Sequence, residues 1–130
     1  MQQTVLIIDD SQDDVLITKR VLSKSGREIR TEVASSGAAG LALLRDRTVP
    51  PALILLDLKM PGMSGLDLLR KIRADERLGK IPVVVVSSSA LEDDEKQSFA
   101  AGADDFIHKS FDMDQFSADI KCLLERWLPA

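Results

Sequence analysis

Apolar runs and amphipathic stretches alternate five times along this 130-residue chain. The apolar runs cover residues 5–8, 29–34, 52–56, 82–86 and 105–108. Residues 5–8, 52–56 and 82–86 are near-continuous in Val, Ile and Leu, the pattern of a strand buried on both faces. Residues 29–34 alternate polar and apolar side chains, as an edge strand does. Between the runs, helical periodicity predicts helices over 11–25, 37–47, 64–74, 91–101 and 112–128. Punctuation agrees. Ser11 is placed as an N-cap with Asp13 and Asp14 in the first turn, Gly26 follows the first helix, and Pro50-Pro51 and Pro61-Gly62 mark loops. Five βα units predict an α/β fold, a parallel sheet with helices on both faces and right-handed crossovers. The edge character of the second strand selects the flavodoxin-like, doubly wound (βα)5 order 2-1-3-4-5. Its switch point lies between strands 1 and 3.

Charge enters at that switch point. Asp9-Asp10 end the first run and Asp57 ends the third. Desolvated carboxylates are costly unless paired or bound to a cation, so packing cannot explain them. Ligands of open α/β sheets bind at the carboxyl ends of the strands. An acidic pocket for a hard divalent cation is therefore expected. Ser87 ends the fourth run and Lys109 the fifth, so a hydroxyl and an ammonium join the acids. Three acids suit Mg²⁺ or Mn²⁺, a carboxylate can attack phosphorus to form an aspartyl-phosphate, and the hydroxyl and ammonium are donors for phosphoryl oxygens. Taken singly, Asp57 reads as a turn former, Ser87 as a strand closer and Lys109 as a solvated lysine. Their coincidence at four strand ends favours chemistry. Asp14 reads equally well as a helix-dipole partner or as a further acid of the pocket. His108 precedes Lys109 on the opposite face of its strand and reads as structural or surface.

Composition narrows the setting. The length is that of one domain, and 45% hydrophobic residues suffice for a core. No apolar run reaches the ~18 residues of a membrane span, and Met1 to Thr4 leave no room for a signal peptide. The lone Cys122 excludes an internal disulfide, which fits a reducing cytoplasm. A net charge of −4 argues against nucleic acid, and the local cluster Lys19, Arg20, Lys24 and Arg27 reads as a solvated helix face. The fifth helix carries a core stripe from Phe116 to Leu128. The fourth offers only Leu91, Phe99 and alanines beside Glu92 to Glu95, so burial should hold it weakly.

The chain resembles the receiver domain of two-component response regulators. The resemblance rests on Asp9-Asp10, the segment Asp57-Leu58-Lys59-Met60-Pro61-Gly62-Met63-Ser64-Gly65, Ser87, and Gly102-Ala103-Asp104-Asp105-Phe106-Ile107-His108-Lys109. It covers essentially the whole chain, in the family's order and spacing. It implies a phosphorylation-activated switch, not an enzyme beyond acting on its own phosphoryl group, that takes a phosphoryl group from a histidine kinase. Asp57 is then the phosphoacceptor. Asp10, Asp57 and the Lys59 backbone carbonyl are metal ligands, and Asp9 acts through a metal-bound water. Ser87 and Lys109 hold phosphoryl oxygens, and Phe106 takes the aromatic switch position that turns inward on activation. Lys59 and Ser89 flank the phosphoryl group and set how fast it is lost, and Ser88, larger than the family's usual Ala or Gly, tunes access to it. Ser110 stands where the family usually has Pro, and with a non-proline residue there the Lys109–Ser110 bond is expected to be trans. The implied partners are a sensor histidine kinase or phosphotransfer protein, a downstream protein, and a second copy of the chain on phosphorylation. Neither nucleic acid nor membrane is implied. The segment from Asp10 to Asp14 is similar to receivers paired with phytochrome-type kinases. With residues 1–130 read as a single receiver domain lacking an output domain, the signal leaves by protein contact or onward relay.

Three other classes fit less well. A Mg²⁺-dependent aspartyl-nucleophile phosphohydrolase typically carries Asp-x-Asp after one strand, whereas Leu58-Lys59 follow Asp57. A flavodoxin-type cofactor binder needs a hydroxyl- and Gly-rich loop where Asp9-Asp10 stand. A non-phosphorylated receiver-like binding module has no need of all five site residues.

Overall fold

Strand and helix alternate as the periodicity predicts. In the computed structural model, which describes residues 3–88, 92–109 and 112–128, the elements are β1 (Gln3–Ile8), α1 (Gln12–Ser23), β2 (Ile29–Ala34), α2 (Gly37–Asp46), β3 (Leu53–Leu56), α3 (Gly65–Ala74), β4 (Val83–Ser87), α4 (Glu92–Ala100), β5 (Asp105–His108) and α5 (Met113–Trp127). The expected boundaries hold to within two residues at almost every end. Ser89, Leu91 and Ser110, and with Ser110 the expected trans bond, lie outside the described residues.

The five strands pair in parallel in the order β2-β1-β3-β4-β5. Ile8 pairs with Ala34 on one side and Leu56 on the other, Leu56 with Val85, and Val85 with Phe106. This register brings the carboxyl ends of the central strands level. Alternation along each strand then builds two cores. Leu6, Ile8, Ile54, Leu56, Val83, Val85 and Phe106 pack with α2 and α3 through Leu41, Leu44, Leu68, Leu69 and Ile72. Val5, Ile7, Leu53, Leu55, Val84, Val86 and Ile107 pack with α1 and α5 through Val15, Leu22, Phe116, Ile120 and Leu124. Each such buried side chain contributes ~1.5–3 kcal/mol, so β1, β3 and β4 form a stiff platform.

The helices start where hydroxyl or carboxylate caps are available. The side chains of Ser11, Ser36 and Ser64 accept the backbone N–H of Asp14, Ala39 and Asp67, and Asp112 does the same for Asp114 and Gln115. α4 is the exception in packing: Ser98 is its one buried residue and Phe99 is largely exposed. The turn that follows α4 is tied to α3 at the end of the sheet remote from the site. There the Arg73 guanidinium of α3 bonds the carbonyls of Gly102, Gly79 and Ile81 and the Asp104 carboxylate, which also accepts the Val83 N–H.

Gly65, the first residue of α3, is forced by a close approach. A Cβ there would lie 2.3 Å from the Asp57 carbonyl oxygen and 2.7 Å from Leu58 Cα, both backbone atoms that cannot swing aside. Gly65→Ala should therefore cost about 1–3 kcal/mol, read by urea unfolding, and shift the backbone amide resonances of Asp57 and Leu58. A variant of unchanged stability with unmoved resonances would contradict this packing.

Candidate functional site

One backbone hydrogen bond past the ends of β1, β3 and β5 pins three of the site residues. The Asp9 N–H donates to the Ala34 carbonyl (3.1 Å), the Asp57 N–H to the Ile8 carbonyl (2.9 Å) and the Lys109 N–H to the Ser87 carbonyl (2.8 Å). The ladders thus continue for one residue beyond the strands, and side chains at those positions inherit the rigidity of the sheet. The sequence leads Ile8 straight into Asp9 and Leu56 straight into Asp57, so apolar burial drags the carboxylates in behind it.

Asp9, Asp57 and Ser87 are accordingly buried, 6%, 8% and 1% exposed, while Asp10 faces solvent. One carboxylate oxygen from each of Asp9, Asp10 and Asp57 lies within 4.8 Å of the others. This is an all-oxygen, multiply anionic donor set, which fits a hard divalent cation such as Mg²⁺ or Mn²⁺. Lys59 follows in the loop after Asp57, its side chain exposed between the buried Leu58 and Met60. The Leu58 carbonyl accepts the Gly65 N–H, which fixes the loop's entry to α3.

Lys109 reaches into this cluster as a counter-charge. Its Nζ lies 2.8 Å from Asp9 Oδ2, 2.8 Å from Asp14 Oδ2 and 3.6 Å from Asp57 Oδ1. Asp9 is held from both sides, because its Oδ1 accepts the Ser11 N–H at 2.9 Å. Electrostatics follow from this crowding. Burial pushes the Asp57 carboxyl up, Lys109 draws it down, and the like charges of Asp9 and Asp10 raise it again, leaving it at about 6 instead of 3.8. Burial alone would lower Lys109, but its bonds to Asp14 and Asp9 and the charge of Asp57 outweigh that and raise it above its ordinary value. Asp57 is therefore mostly ionised at neutral pH, and Lys109 is charged.

The expected residues thus converge, with two findings of detail. Asp14 joins the pocket, because its carboxylate pairs with Lys109, and it keeps its place in the first turn of α1, where its N–H donates to the Ser11 cap. The sequence signal was its place in the first turn of the helix that starts at the pocket. Phe106, expected as the switch aromatic, is buried in the core beside α2 and α3 and meets the His108 ring edge-on at 5.0 Å. Without a hydroxyl, Phe106 has nothing to gain from solvent. His108 is exposed, 4.0 Å from Glu95, as its strand face implied. Ser88 is exposed beside the pocket.

Comparison with known proteins places this geometry in a family. Residues 5–121 match the model of the response regulator receiver domain. The polar-differentiation response regulator DivK of Brucella ovis is 33% identical over 125 residues, covering 95% of this chain and 98% of DivK. The chain spans about half the length of the curated transcriptional regulators that it also matches. The phosphorylated cyanobacterial phytochrome response regulator RcpA superposes with a TM-score of 0.90 at 30% identity, over 98% of this chain and 95% of RcpA. The Mn²⁺-bound response regulator Rcp1 superposes with a TM-score of 0.87 at 28% identity, over 98% and 99%. Fold, strand-end chemistry and kinship agree: this chain belongs to the response regulator receiver domain family.

Proposed function

We propose that the chain is a signalling switch in which Asp57 accepts a phosphoryl group in a divalent-cation-dependent reaction. The observation that carries this reading is the raised, buried Asp57 carboxylate set between two further acids and one ammonium. An oxygen of ionised Asp57 attacks the phosphorus of a donor in line. The phosphorus–oxygen bond forms, the bond to the donor's leaving group breaks, and its electron pair leaves with that group. From a kinase phosphohistidine the leaving atom is an imidazole nitrogen, and from an acyl phosphate it is a carboxylate oxygen. A bound Mg²⁺ or Mn²⁺ supplies charge neutralisation for the phosphoryl oxygens. Asp10, Asp57 and the Lys59 carbonyl would hold the metal, and Asp9 would act on it through water. Ser87 and Lys109 take the phosphoryl oxygens, with Phe106 as the switch aromatic and Lys59, Ser88 and Ser89 as the tuning positions.

The partner on the input side is a histidine kinase or phosphotransfer protein. A phytochrome-type kinase is favoured by the likeness to RcpA and by the segment from Asp10 to Asp14. The aligned region covers 98% of DivK, which supports reading residues 1–130 as one receiver domain. The setting is the cytoplasm, and output runs through protein contact, onward relay or pairing with a second copy. Among the described residues, no helix is long and apolar enough to cross a membrane.

Two outcomes test this reading. With Mg²⁺ and an acyl phosphate donor, intact-mass measurement should find one acid-stable, base-labile phosphoryl group, abolished by Asp57→Asn. Labelling that survives in that variant would overturn the assignment. The second test is metal-free stability. Between about 3.8 and about 6 the folded chain retains the Asp57 proton and the unfolded chain has released it, so stability falls as pH rises through that window. Asp57→Asn removes this cost. It should be the more stable protein at pH 7.5 by up to roughly 3 kcal/mol, the worth of about two pKa units. The gain should disappear towards pH 3.8, as read by urea unfolding. A difference independent of pH would contradict the cause assigned to the raised carboxyl.

A further inference from the structure

The Asp14–Lys109 ion pair has no part in the chemistry so far derived, yet it is as short as any contact in the site. Asp14 is fixed for it. Its N–H donates to Ser11 Oγ (3.3 Å) and its carbonyl accepts from the buried Thr18 hydroxyl (2.9 Å). Its Oδ2 lies 2.8 Å from Lys109 Nζ. The pair borders a small cavity between α1 and α5 that Ile17, Met113 and Phe116 also line. The first turn of α1 is thereby tied to the residue that follows β5.

An ammonium has three donors. Two of those of Lys109 are taken by Asp9 and Asp14 at 2.8 Å, while Asp57 stands farther off at 3.6 Å. We propose that Asp14 is a positioning residue that competes with the phosphoryl group of Asp57 for the Lys109 ammonium. This rests on Asp57 being the phosphoacceptor.

Exposure decides which partner yields. The Asp9 side chain is 6% exposed and loses much if left unpaired, whereas that of Asp14 is 39% exposed and can exchange Lys109 for water. Lys109 therefore trades Asp14 for a phosphoryl oxygen, and each bond kept to Asp14 is one withheld from the phosphoryl group. The same pair has the opposite effect on a cation. With Asp14 holding part of its charge, Lys109 leans less on Asp9 and Asp57, and these acids remain more attractive to a divalent metal. Loss of the Asp14 charge should thus tighten binding of a phosphoryl mimic and loosen binding of Mg²⁺. A merely structural lesion would weaken both.

The test uses the full chain and three variants, Asp14→Asn, Asp13→Asn and Asp57→Asn. Asp13 lies in the same turn, is exposed and makes no ion pair with Lys109, so its variant controls for loss of net charge. Beryllofluoride binding at saturating Mg²⁺ is read by ¹⁹F NMR, Mg²⁺ binding alone by calorimetry, and the Lys109 ammonium of the metal-free protein by ¹H–¹⁵N spectra. Asp14→Asn should bind beryllofluoride about fivefold more tightly and Mg²⁺ more weakly, with loss of a slowly exchanging ammonium signal. Asp13→Asn should match the wild type. Equal or weaker beryllofluoride binding by Asp14→Asn, or the same gain in Asp13→Asn, would overturn the proposal. If the wild type binds no beryllofluoride, or Asp57→Asn binds it as well, the phosphoacceptor reading itself fails, and the proposal with it.

Discussion

Like charges held together by a sheet that cannot relax are the constraint from which the rest follows. Asp9 and Asp57 are carried to the same point by β1 and β3, whose side chains are buried on both faces and whose ladders extend one bond past each strand. The carboxylates cannot separate without breaking those bonds or opening two cores. Their mutual repulsion and desolvation appear instead as a raised Asp57 carboxyl and as the demand for positive charge. Lys109 meets part of that demand. A divalent cation would meet more of it, so the fit of the site to a metal follows from its rigidity.

The opposite property is placed beside it. α4 buries Ser98 alone and presents an acidic first turn, while β5, which it covers, carries Phe106 and leads to Lys109. The Arg73 and Asp104 network ties α3 to the segments that lead into β4 and β5, at the end of the sheet remote from the site. A charge change at Asp57 therefore acts on a stiff platform at β1 and β3 and on a more loosely packed edge at α4 and β5. That division suits a switch, because repacking costs least where burial is least.

Much of this was legible in the chain because apolar patterning and chemistry share an address. The runs at 5–8 and 52–56 define strands, and the acids that end them define the site, so strand order and pocket emerge together. Ser87 and Lys109 follow by the same logic. What stayed hidden depends on side-chain reach. The pairing of Asp14 with Lys109 joins residues 95 positions apart and turns on where a long lysine comes to rest among several acids. Arg73 is likewise silent in sequence, since nothing marks one helical arginine as the hydrogen-bond partner of three carbonyls and a carboxylate. The position of Phe106 was legible from its place in β5, but its burial depends on how the core beside α2 and α3 accepts the ring.

The account stands on the claim that the clustered carboxylates store a repulsion that a divalent cation relieves. Thermal unfolding of the wild-type chain at pH 7.5 under Mg²⁺ titration tests this most directly. The midpoint should rise with Mg²⁺ along a saturable curve, as for any ligand that binds only the folded state, and the rise should be much smaller in Asp10→Ala. A midpoint that does not respond to Mg²⁺, or that rises equally in both proteins, would contradict it.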